Sequence, residues 1–107
     1  ENLARVLLTN LLENAWKYTS KTVGAEIEFG QAEFDGAPMF YLRDNGAGFG
    51  HQHAGKLFEP FHRLHRSEDF PGTGIGLATV KRVVRRHGGR ITALGEVNRG
   101  AEFRFAL

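Results

Sequence analysis

The stretch GTGIGLATVKRVVRRHGG, residues 72–89, decides the fold of this chain. Its apolar residues recur with a helical period, and the Gly88-Gly89 pair ends the pattern as glycine ends many helices. We therefore predict an amphipathic helix over residues 75–87. The junction in front of it is either a plain flexible linker or an anion site, because unpaired N–H groups and the helix dipole favour bound anions. The glycines of this junction are Gly72, Gly74 and Gly76.

Four segments with the alternation typical of β-strands flank this helix in two pairs. Asp35-Gly36 is a hairpin signal between the members of the first pair, and residues 98–100 form a turn between those of the second. The four predicted strands are residues 25–34, 38–43, 90–95 and 101–107.

A second helix is predicted at the start of the chain, over residues 1–19, where apolar residues keep helical spacing and no Gly or Pro intervenes. Residues 51–73 are expected to be irregular, with a short helical piece around residues 56–61. The order of elements predicts an α/β (α+β) two-layer sandwich, with a mostly antiparallel sheet and helices on one face. We expect the whole chain, residues 1–107, to form one domain.

Composition excludes several classes of protein. The formal net charge of +2 is not the basic excess of a nucleic-acid-binding domain, and the chain has no Cys for a disulfide or a thiolate metal site. No apolar run is long enough to cross a bilayer. We therefore expect no contact with nucleic acid or membrane. The lack of cysteine fits a reducing compartment, and a cytoplasmic location is expected.

The first predicted helix carries two polar stripes, although one is enough for solvation. At about 100° per residue, Asn10, Asn14 and Lys17 share one arc of this helix. Either the two asparagines make hydrogen bonds inside the core, or an amide oxygen binds a metal ion and Lys17 binds phosphate. Mg²⁺ would suit the second interpretation, because it takes oxygen ligands and shares substrate phosphates. The solvent side is predicted to be formed by Arg5, Thr9 and Glu13.

A glycine-rich segment, DNGAGF at residues 44–49, follows the second predicted strand. Gly46 and Gly48 let the backbone turn sharply and let a ligand approach closely. Asp44 at the strand end could accept hydrogen bonds from an exocyclic amine. The segment is equally compatible with a plain turn, in which Asp and Asn are the usual turn formers.

Two apparent motifs do not support a function. Residues 50–57, GHQHAGKL, place Leu57 where the phosphate loop G-x-x-x-x-G-K-[ST] needs a metal-binding hydroxyl. His51 and His53 have no third metal ligand nearby in sequence, so we expect a solvated loop there.

Taken together, the segments resemble the ATP-binding catalytic domain of sensor histidine kinases, in order and in spacing. The resemblance covers nearly the whole chain and looks closest to phytochrome-like and PAS-linked sensor kinases. It implies the Bergerat fold, shared with gyrase, Hsp90 and MutL. The matching segments are NLLENAWKYT (10–19) for the N box, DNGAGF (44–49) for the G1 box, KLFEPFHRLH (56–65) for the F box, GTGIGLATVKRVVRRHGG (72–89) for the G2 box and its helix, and GAEFRF (100–105) for the closing strand.

The resemblance implies that ATP and Mg²⁺ are bound. Asn14 would coordinate Mg²⁺, and Asn10 would support the phosphate end. Asp44 would take the adenine amino group, with Gly48 close to the ring, and Gly46 would also contact ATP. Further contacts would come from several residues that surround the phosphates, the sugar and the lid. These are Lys17 and Tyr18 for phosphate and sugar, Phe58 and Phe61 as lid anchors, Arg63 toward the γ-phosphate, Gly72, Thr73, Gly74 and Gly76 around the phosphates, and Leu77 behind the pocket.

Kinase and hydrolase activities are distinguished by one position of the first helix. Gyrase-like ATPases resemble E-x-x-x-N, in which the Glu activates water, whereas this chain has Asn10-x-x-x-Asn14. An amide is no general base, whereas a neutral imidazole needs little activation. The catalytic group implied is Asn10, Asn14, Lys17 and Arg63, acting by positioning and charge neutralisation. The alternatives are another GHKL ATPase, an anti-sigma Ser/Thr kinase, or a degenerate module that binds a partner and no nucleotide.

The resemblance also implies a longer parent protein. None of the five histidines stands in the H-[ED]-x-x-x-P setting of the family's phosphoacceptor. We expect that acceptor on a dimerisation domain of the same protein, with a response regulator as the indirect partner, and we expect this chain to be monomeric. The strand expected before the first helix is missing, which would leave one sheet edge unpaired.

Overall fold

A computed structural model of the chain describes residues 3–50, 57–58 and 76–107. All six predicted elements are present, with ends within one or two residues of those expected. The predicted helical piece at 56–61 lies mostly outside the described residues, and its described residues, Leu57 and Phe58, lie in a turn. The elements are α1 (Leu3–Tyr18), β1 (Ile27–Phe34), β2 (Ala37–Asp44), α2 (Gly76–Arg86), β3 (Arg90–Glu96) and β4 (Gly100–Ala106).

The four strands form one antiparallel sheet in the order β1-β2-β4-β3. Both predicted hairpins are confirmed. Asp35 and Gly36, with φ angles of 52° and 79°, form the left-handed pair that a tight hairpin turn requires. The hairpins meet along β2 and β4, where Asp44 pairs with Ala101.

Both helices lie on one face of the sheet, which confirms the predicted two-layer sandwich. Apolar residues recur on the inner faces of α1 and α2 and at alternate positions of β2 and β4, so the two layers bury one continuous core. The core is formed by Leu7, Leu11, Ala15, Leu42, Phe49, Leu57, Val80, Val83, Val84, Phe103 and Phe105.

The opposite face of the sheet carries a network of paired charges. Arg43 donates hydrogen bonds to Glu102 at 2.7 Å and to Glu28 at 3.2 Å, and Arg104 donates to Glu102 at 2.5 Å. The Tyr41 hydroxyl donates to Glu28 at 2.7 Å. Partial burial raises the pKa of Glu102, but hydrogen bonds from Arg104 and Arg43 outweigh it and hold that pKa below its ordinary value.

Neither described helix is both long enough and apolar enough to span a bilayer. The two outermost of the described strands are β1 and β3. On β1 the side chain of Phe29 stacks on Phe40 with ring centroids 6.0 Å apart, yet remains half exposed.

Candidate functional site

A buried carboxylate lies at the end of β2. Asp44 is only 7% exposed, and its Oδ1 accepts a hydrogen bond of 2.8 Å from the backbone N–H of Gly46. Burial raises the pKa of Asp44, while hydrogen bonds from the backbone N–H groups of Gly46 and Ala101 lower it in part. A carboxylate has about four acceptor positions. The group can therefore accept a further donor, such as an exocyclic amine.

The loop after Asp44 passes very close to the turn between β3 and β4. Gly48 has a φ of +65°, and a Cβ added there would lie 2.1 Å from the carbonyl oxygen of Glu96. The N–H of Asn98 donates to the carbonyl oxygen of Ala47 at 2.8 Å. Only glycine satisfies both the backbone conformation and the space at position 48. Gly48 is predicted to let a ligand approach closely, but its close neighbours in the structure are backbone atoms of Glu96 and Gly100.

Asn45 fixes the other side of the loop. Its Oδ1 accepts a hydrogen bond of 2.8 Å from the N–H of Glu26, and its Nδ2 donates to the carbonyl oxygen of Gly24 at 3.0 Å. The side chain thus ties the loop to the segment that enters β1. Asn45 therefore holds the position of Asp44 rather than offering its amide to a ligand.

The predicted polar stripe of α1 is partly buried, at Asn10, Asn14 and Lys17. The Nδ2 of Asn10 donates to the carbonyl oxygen of Val6 at 2.9 Å, so the interpretation as a core hydrogen bond holds for that nitrogen. Within the described ranges, no hydrogen bond reaches the side chain of Asn14. Its amide oxygen is a ligand of the kind that Mg²⁺ takes. The predicted solvent side, Arg5, Thr9 and Glu13, is exposed.

The described part of the chain contains no group of three or more His, Cys, Asp or Glu that could hold a metal ion. The amide oxygen of Asn14 could bind a metal ion together with water and phosphate oxygens. This is the ligand set that Mg²⁺ has when it accompanies a nucleotide.

The end of α1 is joined directly to the loop after β2. The N–H of Ala47 donates to the carbonyl oxygen of Tyr18 at 2.9 Å. Thr19 is buried and its hydroxyl donates to the carbonyl oxygen of Ala15 at 2.9 Å, which caps the helix end. The ammonium of Lys17 lies 4.8 Å from the centroid of the Tyr18 ring. Lys17 and Tyr18 are thereby brought to the same end of the fold as the Asp44 loop.

Two further predicted residues pack against the core near α2. The Phe58 ring lies edge-on to Phe103 with centroids 6.2 Å apart, and the ammonium of Lys81 lies 5.7 Å from the Phe58 ring. Leu77 is partly buried against the same core, one residue after α2 begins. The remaining predicted residues lie outside the described ranges and stay predictions. They are Phe61, Arg63, Gly72, Thr73 and Gly74.

Sequence reasoning missed the contribution of the β3–β4 turn to the site. The sequence predicts only a turn at residues 98–100, yet the N–H of Asn98 donates to the carbonyl oxygen of Ala47, and Ala101 pairs with Asp44 across the two strands. The one available signal was the glycine at position 100, directly before a predicted strand. A glycine there also fits an ordinary hairpin turn, so the signal alone could not have placed it beside Asp44.

Comparison with known proteins gives a consistent result. The family described as "Histidine kinase-, DNA gyrase B-, and HSP90-like ATPase" matches residues 1–107. Cyanobacterial phytochrome A of Nostoc sp. is 36% identical over 101 residues, and the methanogenesis regulatory histidine kinase FilI of Methanothrix harundinacea is 39% identical over 100 residues. Each alignment covers 94% of this chain, but only 13% and 11% of those two proteins.

Solved structures of histidine kinases have the same fold. The mycobacterial sensor histidine kinase MprB superposes with a TM-score of 0.78 at 29% identity, over 94% of this chain and 68% of that one. Full-length ShkA in complex with AMPPNP superposes with a TM-score of 0.76 at 31% identity, over 96% of this chain and 20% of that one.

Proposed function

This chain belongs to the family of histidine kinase-, DNA gyrase B- and HSP90-like ATPases, as an ATP-binding catalytic domain of the histidine kinase type, and from that premise we propose how it acts. It binds Mg²⁺ and ATP and donates the γ-phosphate to a histidine on a separate dimerisation domain. The parent protein is a sensor kinase of a two-component system. The chain spans only 13% and 11% of two of its relatives, which supports the proposal that the parent protein has further domains.

The buried carboxylate of Asp44 carries this proposal. Asp44 is only 7% exposed, and burying a carboxylate is costly unless its acceptor positions are filled. The backbone N–H of Gly46 fills one of them, and an adenine amino group would fill another. The flanking glycines let the loop fold closely against its neighbours, since a Cβ added at Gly46 would lie 2.2 Å from the Tyr18 carbonyl oxygen and one at Gly48 would lie 2.1 Å from that of Glu96. The ring of adenine would then lie near Gly46 and Gly48.

The phosphates would lie at the α1 side of the site. Asn14 would hold Mg²⁺, with Asn10 and Lys17 beside the phosphate chain and Tyr18 toward the sugar. Bound Mg²⁺ supplies neutralisation of the phosphate charge that develops during transfer. The family resemblance implies a role for each residue of the lid and the phosphate loop. These are Phe58 and Phe61 as lid anchors, Arg63 toward the γ-phosphate, Gly72, Thr73, Gly74 and Gly76 around the phosphates, and Leu77 behind the pocket.

Asn10 favours transfer to histidine over hydrolysis. Its Nδ2 is already used by the Val6 carbonyl, and an amide cannot accept a proton from attacking water. A neutral imidazole presents a lone pair and needs no such base. In the transfer, an imidazole nitrogen forms a bond to the γ-phosphorus while the bond to the bridging oxygen breaks, and ADP leaves.

The acceptor histidine would come from the dimerisation domain of the same protein, and a response regulator would take the phosphoryl group from it. We place the domain in the cytoplasm, where ATP is available, and we expect the isolated chain to be a monomer. None of the five histidines of this chain has the sequence setting of an acceptor. The purified chain incubated with γ-labelled ATP is therefore expected to gain no label.

The test is thermal unfolding with and without Mg²⁺ and ATP. At a ligand concentration near 100 times Kd, binding adds about 2.7 kcal/mol, which raises the melting temperature by at least several degrees. The rise should be lost in Asp44→Asn. Asp35→Asn is the matched control, because Asp35 lies exposed at the β1–β2 turn, where asparagine is also favoured. If the unmutated chain is folded but its melting temperature does not change with Mg²⁺ and ATP, the proposal is overturned.

A further inference from the structure

The outer surface of α2 carries a row of arginines. At about 100° per residue, Arg82, Arg85 and Arg86 fall within one arc of the helix, and all three are exposed. The opposite arc is apolar and buried in the core, so the packing of α2 fixes the direction in which the arginines face. The buried residues are Val80, Val83 and Val84. Arg82, Arg85 and Arg86 are called the basic face of α2 below.

Within residues 3–50, 57–58 and 76–107, no carboxylate neutralises the basic face. α2 itself contains no Asp or Glu, and none of the ion pairs in these ranges involves the basic face. On the sheet, by contrast, Arg43 and Arg104 are each paired with Glu102. The formal net charge of the whole chain is only +2, so the basic face is a local concentration of charge.

The spacing of the basic face places like charges beside one another. Arg82 lies three residues before Arg85 and four before Arg86, and side chains at these separations are neighbours on a helix surface. Like charges in such pairs destabilise the helix. Arg85 and Arg86 stand in the last turn, where the helix dipole favours positive charge, but Arg82 does not. The dipole therefore leaves the repulsion around Arg82 uncompensated, and anionic groups placed against the basic face would relieve it.

The chemistry of the basic face favours carboxylates of a protein. A guanidinium is planar and pairs with a carboxylate through two parallel hydrogen bonds. A helix that binds a bilayer inserts apolar side chains into it, whereas the apolar side of α2 is used by the core. A nucleic-acid-binding domain is expected to have a basic excess, which a net charge of +2 does not provide.

We propose that the basic face of α2 is a docking surface for an acidic helix of a protein partner, with carboxylates at positions i, i+3 and i+4 that pair with the three guanidinium groups. The inference goes beyond the proposed function, because no residue of the basic face is assigned to the nucleotide site. Gly76, which is assigned to it, lies at the other end of α2, about 15 Å from Arg86 along the helix axis. Docking is therefore expected to leave ATP binding unchanged.

The probe is a fluorescent peptide helix with Glu at i, i+3, i+4 and i+7, and its binding to the chain is followed by fluorescence anisotropy at near-physiological salt. The parent should bind this peptide more tightly than a peptide of the same composition whose glutamates are distributed around the helix. The triple variant Arg82→Gln, Arg85→Gln, Arg86→Gln should bind it about tenfold or more weakly, because the charge-assisted hydrogen bonds are lost. Glutamine is a good helix former, so α2 should persist in this variant.

The matched control removes three positive charges from exposed positions elsewhere. It is the triple variant Arg5→Gln, Lys21→Gln, Arg99→Gln, which has the same net charge as the first variant and should bind the peptide as the parent does. The melting temperature of each variant without nucleotide shows that it is folded. An equal loss of affinity in both variants would mean that only net charge matters, and would overturn the inference.

Three further results would also overturn it: a parent that does not bind the peptide, equal binding of the two peptides, or a parent that binds duplex DNA or phosphatidylserine vesicles more tightly than the peptide. The proposed function is tested separately by the rise in melting temperature with Mg²⁺ and ATP. If the variant at the basic face keeps this rise and loses the peptide, both proposals stand. If the parent shows no rise but binds the peptide through the basic face, the proposed function falls and the docking surface stands.

Discussion

The backbone N–H of Ala47 lies 2.9 Å from the carbonyl oxygen of Tyr18, so the last residue of α1 is hydrogen-bonded to the loop that follows β2. The bond connects two parts of the proposed site, the polar stripe of α1 and the carboxylate of Asp44. Neither part can shift along the other without breaking it.

Removing the amide of Asn14 should abolish the effect of Mg²⁺ on nucleotide affinity. In the parent, ATP should bind more tightly with Mg²⁺ than with EDTA, because the ion links phosphate to the Asn14 oxygen. In Asn14→Ala the two affinities should be nearly equal. Titration calorimetry with and without EDTA measures this. The neighbouring exposed residue supplies the control, and Glu13→Ala should keep the Mg²⁺ effect. An undiminished Mg²⁺ effect in Asn14→Ala would exclude this residue as the ligand.

The buried charge of Asp44 should lower the stability of the protein without nucleotide. Because burial raises the pKa of Asp44 in the folded state, protonation stabilises the fold, and that stabilisation is lost as the pH rises through the folded pKa. Relative to the parent, Asp44→Asn should therefore gain stability as the pH rises from below 3.8, the ordinary value, and the gain should level off above the folded pKa. Urea unfolding of both proteins across this range tests the sign. A difference that moves in the opposite direction would mean that the carboxylate is stabilised in its charged form.

The charge network on the face of the sheet opposite the helices should affect the stability of the protein but not its affinity for nucleotide. Glu102→Gln should cost about 1–2 kcal/mol, because two charge-assisted hydrogen bonds are weakened while the side chains of Arg43 and Arg104 remain 49% and 30% exposed. The pKa of Glu102 is lowered in the folded state, so its contribution is present above the ordinary value of 4.5 and disappears as the pH falls through the folded pKa.

The parent and Glu102→Gln should thus converge in stability in acid, as measured by urea unfolding. Glu33→Gln, an exposed position on β1, is the control and should lie within about 0.5 kcal/mol of the parent. A loss of ATP affinity in Glu102→Gln would contradict the separation of the two faces of the sheet.

Two adjacent leucines of α1 should differ widely in their effect on stability. Leu11 is 0% exposed in the core, whereas Leu12 is 46% exposed. Leu11→Ala should cost about 2–5 kcal/mol by leaving a cavity, and Leu12→Ala should cost roughly 0.5 kcal/mol or less. Chemical denaturation of the two variants checks the direction in which α1 faces. Equal losses would show that the helix is rotated.

The sequence predicted those features that depend on residues close together in the chain. Helical spacing located α1 and α2, and Asp35-Gly36 located the first turn. The pairing of β2 with β4 was not predicted, because alternation within each strand says nothing about which hairpin edges meet. For the same reason, the sequence did not predict the ion pair between Arg43 and Glu102, which belong to different hairpins.

Of the candidate site, the sequence predicted only those residues that lie together in short segments. The carboxylate of Asp44, its glycines and the polar stripe of α1 each stand within one short segment. Ala101 lies opposite Asp44 through the backbone pairing of β2 with β4, which any residue type can make, so no residue type could point to it. For Asn10, the sequence left open a core hydrogen bond or a ligand, and the structure assigns its Nδ2 to the first.

The order of the strands has a consequence for how the chain folds. Each hairpin closes a short loop and can form early, whereas β2 and β4 must find each other across a long intervening segment, which costs more entropy and slows the search. Because Asp44 and Ala101 lie where β2 pairs with β4, the surroundings of the Asp44 carboxylate are completed only when the two hairpins join. A nucleotide that binds there should therefore slow unfolding far more than it speeds folding, because its site forms only after the rate-limiting step of folding.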